Sequence, residues 1–267
     1  LRGTQDILPD QVYKWNYMER VIRHLCALYG YGEIRTPMFE DTKLFLRGIG
    51  DTTDVVTKEM YTFEDRGGRS ITLRPENTAS VVRAYLEHKL YGDQQVHKVF
   101  YIGSMFRYDR PQAGRYREFH QFGVEILGAK SPAADAECIA LAYDLFQRLG
   151  LHELKLHINS IGHSECRAAY RKKLIEFYEP KVDDLCDDCR ERLHKNPLRI
   201  LDCKEEGCRK ASIGAPEITD YLCDDCREHF EKLKQLLDAA GIAYTVDPHI
   251  VRGLDYYVRT VFEIIYT

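Results

Sequence analysis

Hydrophobic positions change period several times along the chain, and each change predicts an element. Residues 1–9 are an extended, turn-rich opening. Trp15, Met18, Ile22, Leu25 and Leu28 then recur at three- and four-residue spacing, the mark of an amphipathic helix. Asp10 is placed to cap it, and Gly30 and Gly32 follow as a stop signal. Residues 33–41 (EIRTPMFED) are strand-like, but Pro37 removes a ladder donor and so belongs at an edge, a bulge or an interface. Residues 60–64 and 70–74 flank Asp65-Arg66-Gly67-Gly68, a hairpin signal. A helix is expected over residues 77–91, with Ala79, Val82, Leu86 and Leu90 on its apolar side.

Residues 98–126 read as strand, basic turn, strand. Phe100, Tyr101, Ile102 and Phe106 give the first arm a β-sheet composition, and the turn holds Pro111, Gly114, Arg107, Arg110, Arg115 and Arg117. The second arm alternates. Glu118, His120, Phe122, Val124 and Ile126 point one way, while Phe119, Gln121, Gly123 and Glu125 point the other. The second face suits the floor of a polar pocket, with Gly123 leaving room for a ligand. Nearby arginines suit an anion, because guanidinium stays charged and grips phosphate oxygens in pairs. An arginine-rich turn with solvated polar residues has the same composition, so the stretch alone decides nothing.

Further on, Ser131-Pro132 reads as a cap with proline in the first turn of a helix whose stripe is Ile139, Ala142, Phe146 and Leu149. Leu154, Leu156 and Ile158 alternate, giving a half-buried strand at 153–160. From 162 to 241 the texture changes: helical segments at 164–178 and 224–240 bracket a stretch dense in charge and cysteine. Cys186-x-x-Cys189 and Cys223-x-x-Cys226 can supply four thiolates to one structural zinc. The 33 residues between them exceed the usual spacing of about 15–20, and Cys203 and Cys208 compete as ligands. Free thiols are the alternative. A final strand-like run spans Val258 to Tyr266.

Composition narrows the class. With 44% hydrophobic and 30% charged residues, the chain can build a sizeable core under a normal polar surface. The net charge of −4 gives no global signal for nucleic acid, so any RNA contact must be local. No apolar run approaches the roughly 18 residues of a membrane span, and no signal-peptide pattern opens the chain. Nine cysteines without a secretory signal point to a reducing, cytoplasmic compartment. A chain that starts at Leu1 and stops in a strand-like run is expected to be a fragment of a longer protein.

Four motifs carry a resemblance. Phe106-Arg107-x-Asp109-Arg110, a loop, then Arg115 to Glu125 resembles motif 2 of class II aminoacyl-tRNA synthetases, closest to the histidyl-tRNA synthetases. Residues 33–41 resemble motif 1, which lies at the dimer interface of that class. Leu73-Arg74-Pro75-Glu76-Asn77-Thr78 is similar to the family's L-R-P-E-G-T segment, with Asn77 for glycine, a residue tolerant of positive φ. Arg252-Gly253-Leu254-Asp255-Tyr256-Tyr257 resembles the histidine-specific motif and is the most specific of the four.

The resemblance implies an α+β class II catalytic fold: an antiparallel sheet flanked by helices, with core residues 1–161 and 242–267 and a mostly helical cysteine-rich insertion at 162–241. Motif 3 and a C-terminal anticodon-binding domain are not found in these residues. It implies ATP-dependent activation of L-histidine and transfer to its tRNA, with Mg2+ on the phosphates, by a homodimer. On that pattern Arg107 holds the α-phosphate, and Arg252 grips the histidine carboxylate and the α-phosphate. Glu76, Thr78 and Gln121 hold the ammonium, and Glu125 and Tyr257 orient the imidazole. Gln112 and Arg115 face ATP and the tRNA acceptor end. On the residues alone, Glu76 or Thr78 reads first as a cap for the following helix. Two other classes compete: a non-catalytic synthetase-like regulatory subunit of ATP phosphoribosyltransferase, and a zinc-stabilised RNA-binding module. The paired phosphate-facing arginines argue against the first, and Arg252 to Tyr257 against the second.

Overall fold

The computed structural model describes residues 1–50, 53, 55–92, 95–112, 114–254 and 256–267. The chain divides into two compact units, Leu1–Lys130 with Asp144–Gly150, and Ser131–Tyr143 with Leu151–Thr267. That division differs from the expected one, because the helical insertion clusters with the strands that flank it.

In the first unit, helix α1 (Pro9–Leu28) starts with proline at its first turn. Asp10 lies inside that turn and makes no side-chain cap, a correction to the expected start. Gly30, at φ +77°, ends the helix. Pro37 splits the next strand as its missing donor requires. Strand β1 (Gly32–Glu33) runs parallel to β5 (His97–Phe106), whereas β2 (Phe39–Asp41) joins a second sheet beside β4 (Ser70–Leu73). Between them lies helix α2 (Thr42–Ile49), capped by Asp41, which accepts the Lys43 N–H at 2.9 Å. Strands β3 (Tyr61–Glu64) and β4 form the expected hairpin. The Asp65 carboxylate closes its turn by accepting from the Gly67 and Arg69 amides.

Helix α3 (Thr78–Glu87) buries a different face from the expected one. Ala79, Ser80, Val81 and Ala84 point inward, while Val82 and Leu86 are 37% and 57% exposed. Glu76 and Thr78 anchor the first turn from the buried side, which sets the helix rotation. Strand β6 (Glu118–Leu127) pairs with β5 over ten residues, from His97↔Leu127 to Phe106↔Glu118. One face of β6 meets α1 through His120 and Trp15, with ring centroids 4.7 Å apart. Tyr101, Met105 and Val81 form the core on the other side, with Phe119 packed against them.

In the second unit, Ser131 caps helix α4 (Pro132–Arg148) by accepting the Ala133 N–H, as its sequence predicts. Strand β7 (Leu154–Ser160) is central, parallel to β8 (Tyr244–Val246) and antiparallel to β9 (Thr260–Tyr266). Between β7 and β8 run helices α5 (Ser164–Tyr178), α6 (Asp187–Lys195), α7 (Glu206–Ala211) and α8 (Asp224–Ala239). Ile139, Leu156, Ile158, Phe230, Leu233 and Leu237 form the core under the sheet. Tyr170, Leu174, Tyr178, Leu185, Leu193 and Ile200 belong to a separate core within the insertion. The architecture is α+β. The described strands form three three-stranded sheets with two parallel pairings rather than one antiparallel sheet.

Candidate functional site: a buried acidic floor and two cysteine clusters

Pro75 ends the strand before α3 and turns Glu76 inward, where it is 3% exposed. Its carboxylate accepts the Thr78 N–H at 2.6 Å and the Ala79 N–H at 3.0 Å, so the capping reading is realised. Thr78 in turn donates its hydroxyl to Glu125 Oε1 at 2.7 Å. Two carboxylates therefore stand one threonine apart. Burial raises the pKa of both. Glu125 reaches about 7, because burial and the Glu76 charge outweigh the Thr78 hydrogen bond. Two carboxyls held above their usual range suit a cation that can take the place of a proton.

Gln121 shares the Glu125 face of β6, four residues earlier, as the two-residue period predicts. Its Oε1 is buried and without a partner among the described residues. A buried acceptor left alone costs roughly 1–3 kcal/mol, which a ligand donor would recover. Arg107 lies beside this floor. Its Nε donates to the Pro75 carbonyl at 2.8 Å, its guanidinium sits 5.4 Å from the Phe119 ring, and its charge pulls the Glu76 pKa down. Anionic floor and cationic neighbour together can hold both charges of a zwitterion.

Two expectations fail here. A Cβ at Gly123 would fall 2.3 Å from the Tyr101 ring, so the space at this glycine is taken by its cross-strand partner and leaves no room for a ligand. At Asn77 the backbone has φ −115°, so tolerance of positive φ plays no part. Its side-chain carbonyl instead accepts from Thr36 at 2.7 Å and from Arg74 at 3.2 Å. Arg74 also donates to the Ser104 and Thr36 carbonyls and fills the space above Gly103.

The basic turn is internally braced. Gln112 and Arg115 exchange backbone hydrogen bonds around Gly114 at φ +74°. Arg115 pairs with Asp109 at 2.9 Å, and the Arg117 guanidinium covers Tyr108 at 3.9 Å. In the second unit, Arg252 donates to Glu263 at 3.2 Å and lies 5.2 Å from the Tyr257 ring. Tyr256 and Tyr257 stack with centroids 4.8 Å apart, and the Tyr257 carbonyl accepts from Arg167 of α5 at 3.0 Å. Asp255 of that motif lies outside the described residues.

The four cysteines expected to share one metal are separated. Cys186 and Cys189 group with Cys203 and Cys208, while Cys223 and Cys226 group with His163 and Cys166. In each group the donor atoms all lie within 4.8 Å of one another. The physical reason is that each CxxC opens a different helix, α6 or α8, and meets a different partner segment. Sequence reading missed His163 and Cys166 and treated Cys203 and Cys208 as competitors. The available signal was a repeat, Leu185-Cys-Asp-Asp-Cys-Arg-Glu191 and Leu222-Cys-Asp-Asp-Cys-Arg-Glu228, which announces two similar units.

Among the described residues no helix is long and apolar enough to cross a membrane. Residues 3–181 match the sequence model of the histidyl-tRNA synthetase family. The histidine–tRNA ligase of Desulforudis audaxviator is 62% identical over 99% of this chain, and that of Anoxybacillus flavithermus 60% over 98%. The chain spans 63% and 62% of the length of these two proteins. The apo S. aureus histidyl-tRNA synthetase superposes with a TM-score of 0.77 at 47% identity, covering 99% of this chain and 60% of that one. A Bacillus halodurans protein described as an ATP phosphoribosyltransferase regulatory subunit/histidyl-tRNA synthetase shares the fold, with a TM-score of 0.71 at 23% identity over 99% of this chain and 72% of that one. On the family match over residues 3–181 and about 60% identity over nearly its whole length, this chain belongs to the histidyl-tRNA synthetase family.

Proposed function

We propose that this chain activates L-histidine with ATP, forming histidyl-adenylate and pyrophosphate, and that the activated histidine passes to the terminal ribose of its tRNA. The observation that carries this reading is the floor formed by Glu76, Thr78, Gln121 and Glu125. It offers carboxylate, hydroxyl and amide acceptors, one of them unpartnered, to a ligand rich in N–H donors. Glu76, Thr78 and Gln121 take the α-ammonium. Glu125 accepts the imidazole N–H, with Tyr257 as the second imidazole contact. An apolar amino acid would leave these groups buried and unpaired, which supports strong discrimination.

Arg107 neutralises the α-phosphate of ATP, which arrives as its magnesium complex, and Arg252 contacts the histidine carboxylate and the same phosphate. The histidine carboxylate oxygen attacks the α-phosphorus and pyrophosphate leaves. The chain's residues supply position and charge rather than a covalent intermediate. Gln112 and Arg115, on an exposed and braced turn, serve ATP and the tRNA acceptor end. The protein acts in the cytoplasm as a homodimer. Met38 and Phe39 beside Pro37 are 54% and 55% exposed, and with Phe63 they suit an interface with a second copy. The rival regulatory reading shares the histidine floor but has no use for both arginines.

The test is calorimetric titration of each of the twenty amino acids into the chain, followed by amino-acid-dependent ATP–pyrophosphate exchange on the full-length gene product. Histidine alone should bind and alone should support exchange. Binding of histidine without exchange would favour the regulatory reading, and no histidine binding would sink both.

A further inference from the structure

We propose that the insertion holds two structural zinc ions, one bound by His163 Nδ1, Cys166, Cys223 and Cys226 and the other by Cys186, Cys189, Cys203 and Cys208. The proposal stands apart from the catalytic reading, since none of these side chains belongs to the acidic floor. Each group supplies four protein donors, which closes a tetrahedral site and leaves no position for substrate, the pattern of structural rather than catalytic zinc.

Distances fit that geometry. Zn–S bonds of about 2.3 Å and Zn–N bonds of about 2.0 Å put neighbouring tetrahedral donors roughly 3.5–3.8 Å apart. The Cys186 and Cys203 sulfurs are 3.9 Å apart, and all donors within each group lie within 4.8 Å. A disulfide needs its sulfurs at about 2.05 Å and gives no reason for four donors to converge. Apolar packing gives none either, because a histidine ring nitrogen points into the first group, with Nδ1 3.0 Å from Cys166 Sγ. The other ring nitrogen, Nε2, stands 3.6 Å from the Glu165 carboxylate, beyond hydrogen-bond reach.

The backbone is arranged to hold thiolates. Cys186 and Cys223 are the N-caps of α6 and α8, with φ −67° in both and ψ of 163° and 166°. His163 is the N-cap of α5, and Cys166 follows in its first turn. The positive ends of these helices favour anionic sulfur. The Cys186 N–H donates to Cys208 Sγ at 3.2 Å, and the Cys223 N–H donates to Cys166 Sγ at 3.3 Å. The amide of the first cysteine of each repeat thus serves the partner segment of its own site, the same device used twice.

Local sequence is constrained to allow this approach. At Gly162, which has φ +60°, a Cβ would sit 2.5 Å from Cys166 Cβ, and at Gly207 a Cβ would sit 2.8 Å from the Asp184 carbonyl. Cys166, Cys189, Cys208 and Cys226 are at most 4% exposed and lie in the insertion core, so each ion would occupy the position of an apolar cluster. The sites differ in what they fasten. The all-cysteine site is internal to the insertion. The site containing His163 ties the start of α5 to the start of α8. There Arg167, one residue past Cys166, holds the Tyr257 carbonyl, and the Arg259 N–H donates to the Gly162 carbonyl at 2.8 Å.

The experiment is elemental analysis of the purified chain after dialysis, with C208S, C226S, the double variant and C138S as comparisons. Two zinc ions per chain are expected, falling to one in each single variant and to none in the double, with C138S keeping two. One zinc in the unaltered chain, lost in full from both single variants, would instead mean that the CxxC units share an ion. No zinc, or iron in its place, would overturn the proposal outright. Because the variants depend on folding, cobalt titration of the unaltered metal-stripped chain supplies the second reading. Thiolate-to-cobalt absorption must saturate at two equivalents, and saturation at one or none refutes the assignment.

Discussion

The acidic floor of the first unit and the cysteine clusters of the second are both convergences of polar side chains in a protein interior, yet they are assembled in opposite ways. The floor is held by the chain's own hydrogen bonds: Glu76 is fixed by two amides and Glu125 by a threonine hydroxyl. Only Gln121 among its members is left with a buried atom unpartnered. The clusters bring their donors within 4.8 Å of one another with amide and helix-end support, and the two proposed ions would hold them together. The lesson is that a binding site which must exchange its ligand is built to stand without it, whereas a site meant to stay filled leaves its central partner to be supplied.

Stripping metal should break the comparison most sharply. Structural zinc in small modules contributes apparent free energies on the order of 10 kcal/mol, so chelation should melt the insertion well before the first unit. Calorimetry should then show two transitions, with the insertion's share of the helical circular dichroism lost in the first and that of α1 to α3 in the second. A single unchanged transition would mean that the clusters carry no metal. Next in size is Gly123→Ala, which drives a methyl into the Tyr101 ring and should cost about 1–3 kcal/mol by overpacking. Pairing it with Tyr101→Leu should recover most of that loss in denaturant melts, and failure to recover would mean that the glycine serves something else.

Glu125→Gln probes the charge stored in the floor. A carboxyl whose folded pKa is raised from 4.5 to about 7 adds stability that is complete below about 4.5 and lost as pH rises through 7. The neutral amide escapes that loss. The variant should therefore nearly match the parent at pH 4.5 and exceed it by about 3 kcal/mol at pH 8, read from melts across that range. Histidine affinity should fall in the same protein. The smallest effect is expected for Gln121→Leu. Removing an unpaired buried acceptor should raise stability by about 1 kcal/mol while weakening histidine binding, so a variant that loses both would show that Gln121 has a structural partner.

These regions were not equally legible in the sequence. Strand alternation placed Gln121 and Glu125 on one face, and short-range signals fixed the hairpin around Asp65, the Ser131 cap and helices α5 and α8. The failures share a cause, which is that each depended on a tertiary neighbour. The rotation of α3 follows from anchors at Glu76 and Thr78, and the space at Gly123 from a tyrosine on the opposite strand. The clusters were hardest, because two identical CxxC repeats invite pairing with each other while each in fact meets a different segment. Spacing along a chain reports which donors exist, not which of them meet.

The two clusters are also nested along the chain. One joins His163 to Cys226, and the other joins Cys186 to Cys208 inside that span. Seen as rings, the inner closes about 23 residues and the outer about 64, so the inner loses less chain entropy on forming, by roughly 0.9 kcal/mol. Once closed, it shortens the free path of the outer ring and lowers that second cost by roughly 0.4 kcal/mol. For the two proposed ions, closure from the inside outward is thus the less costly order.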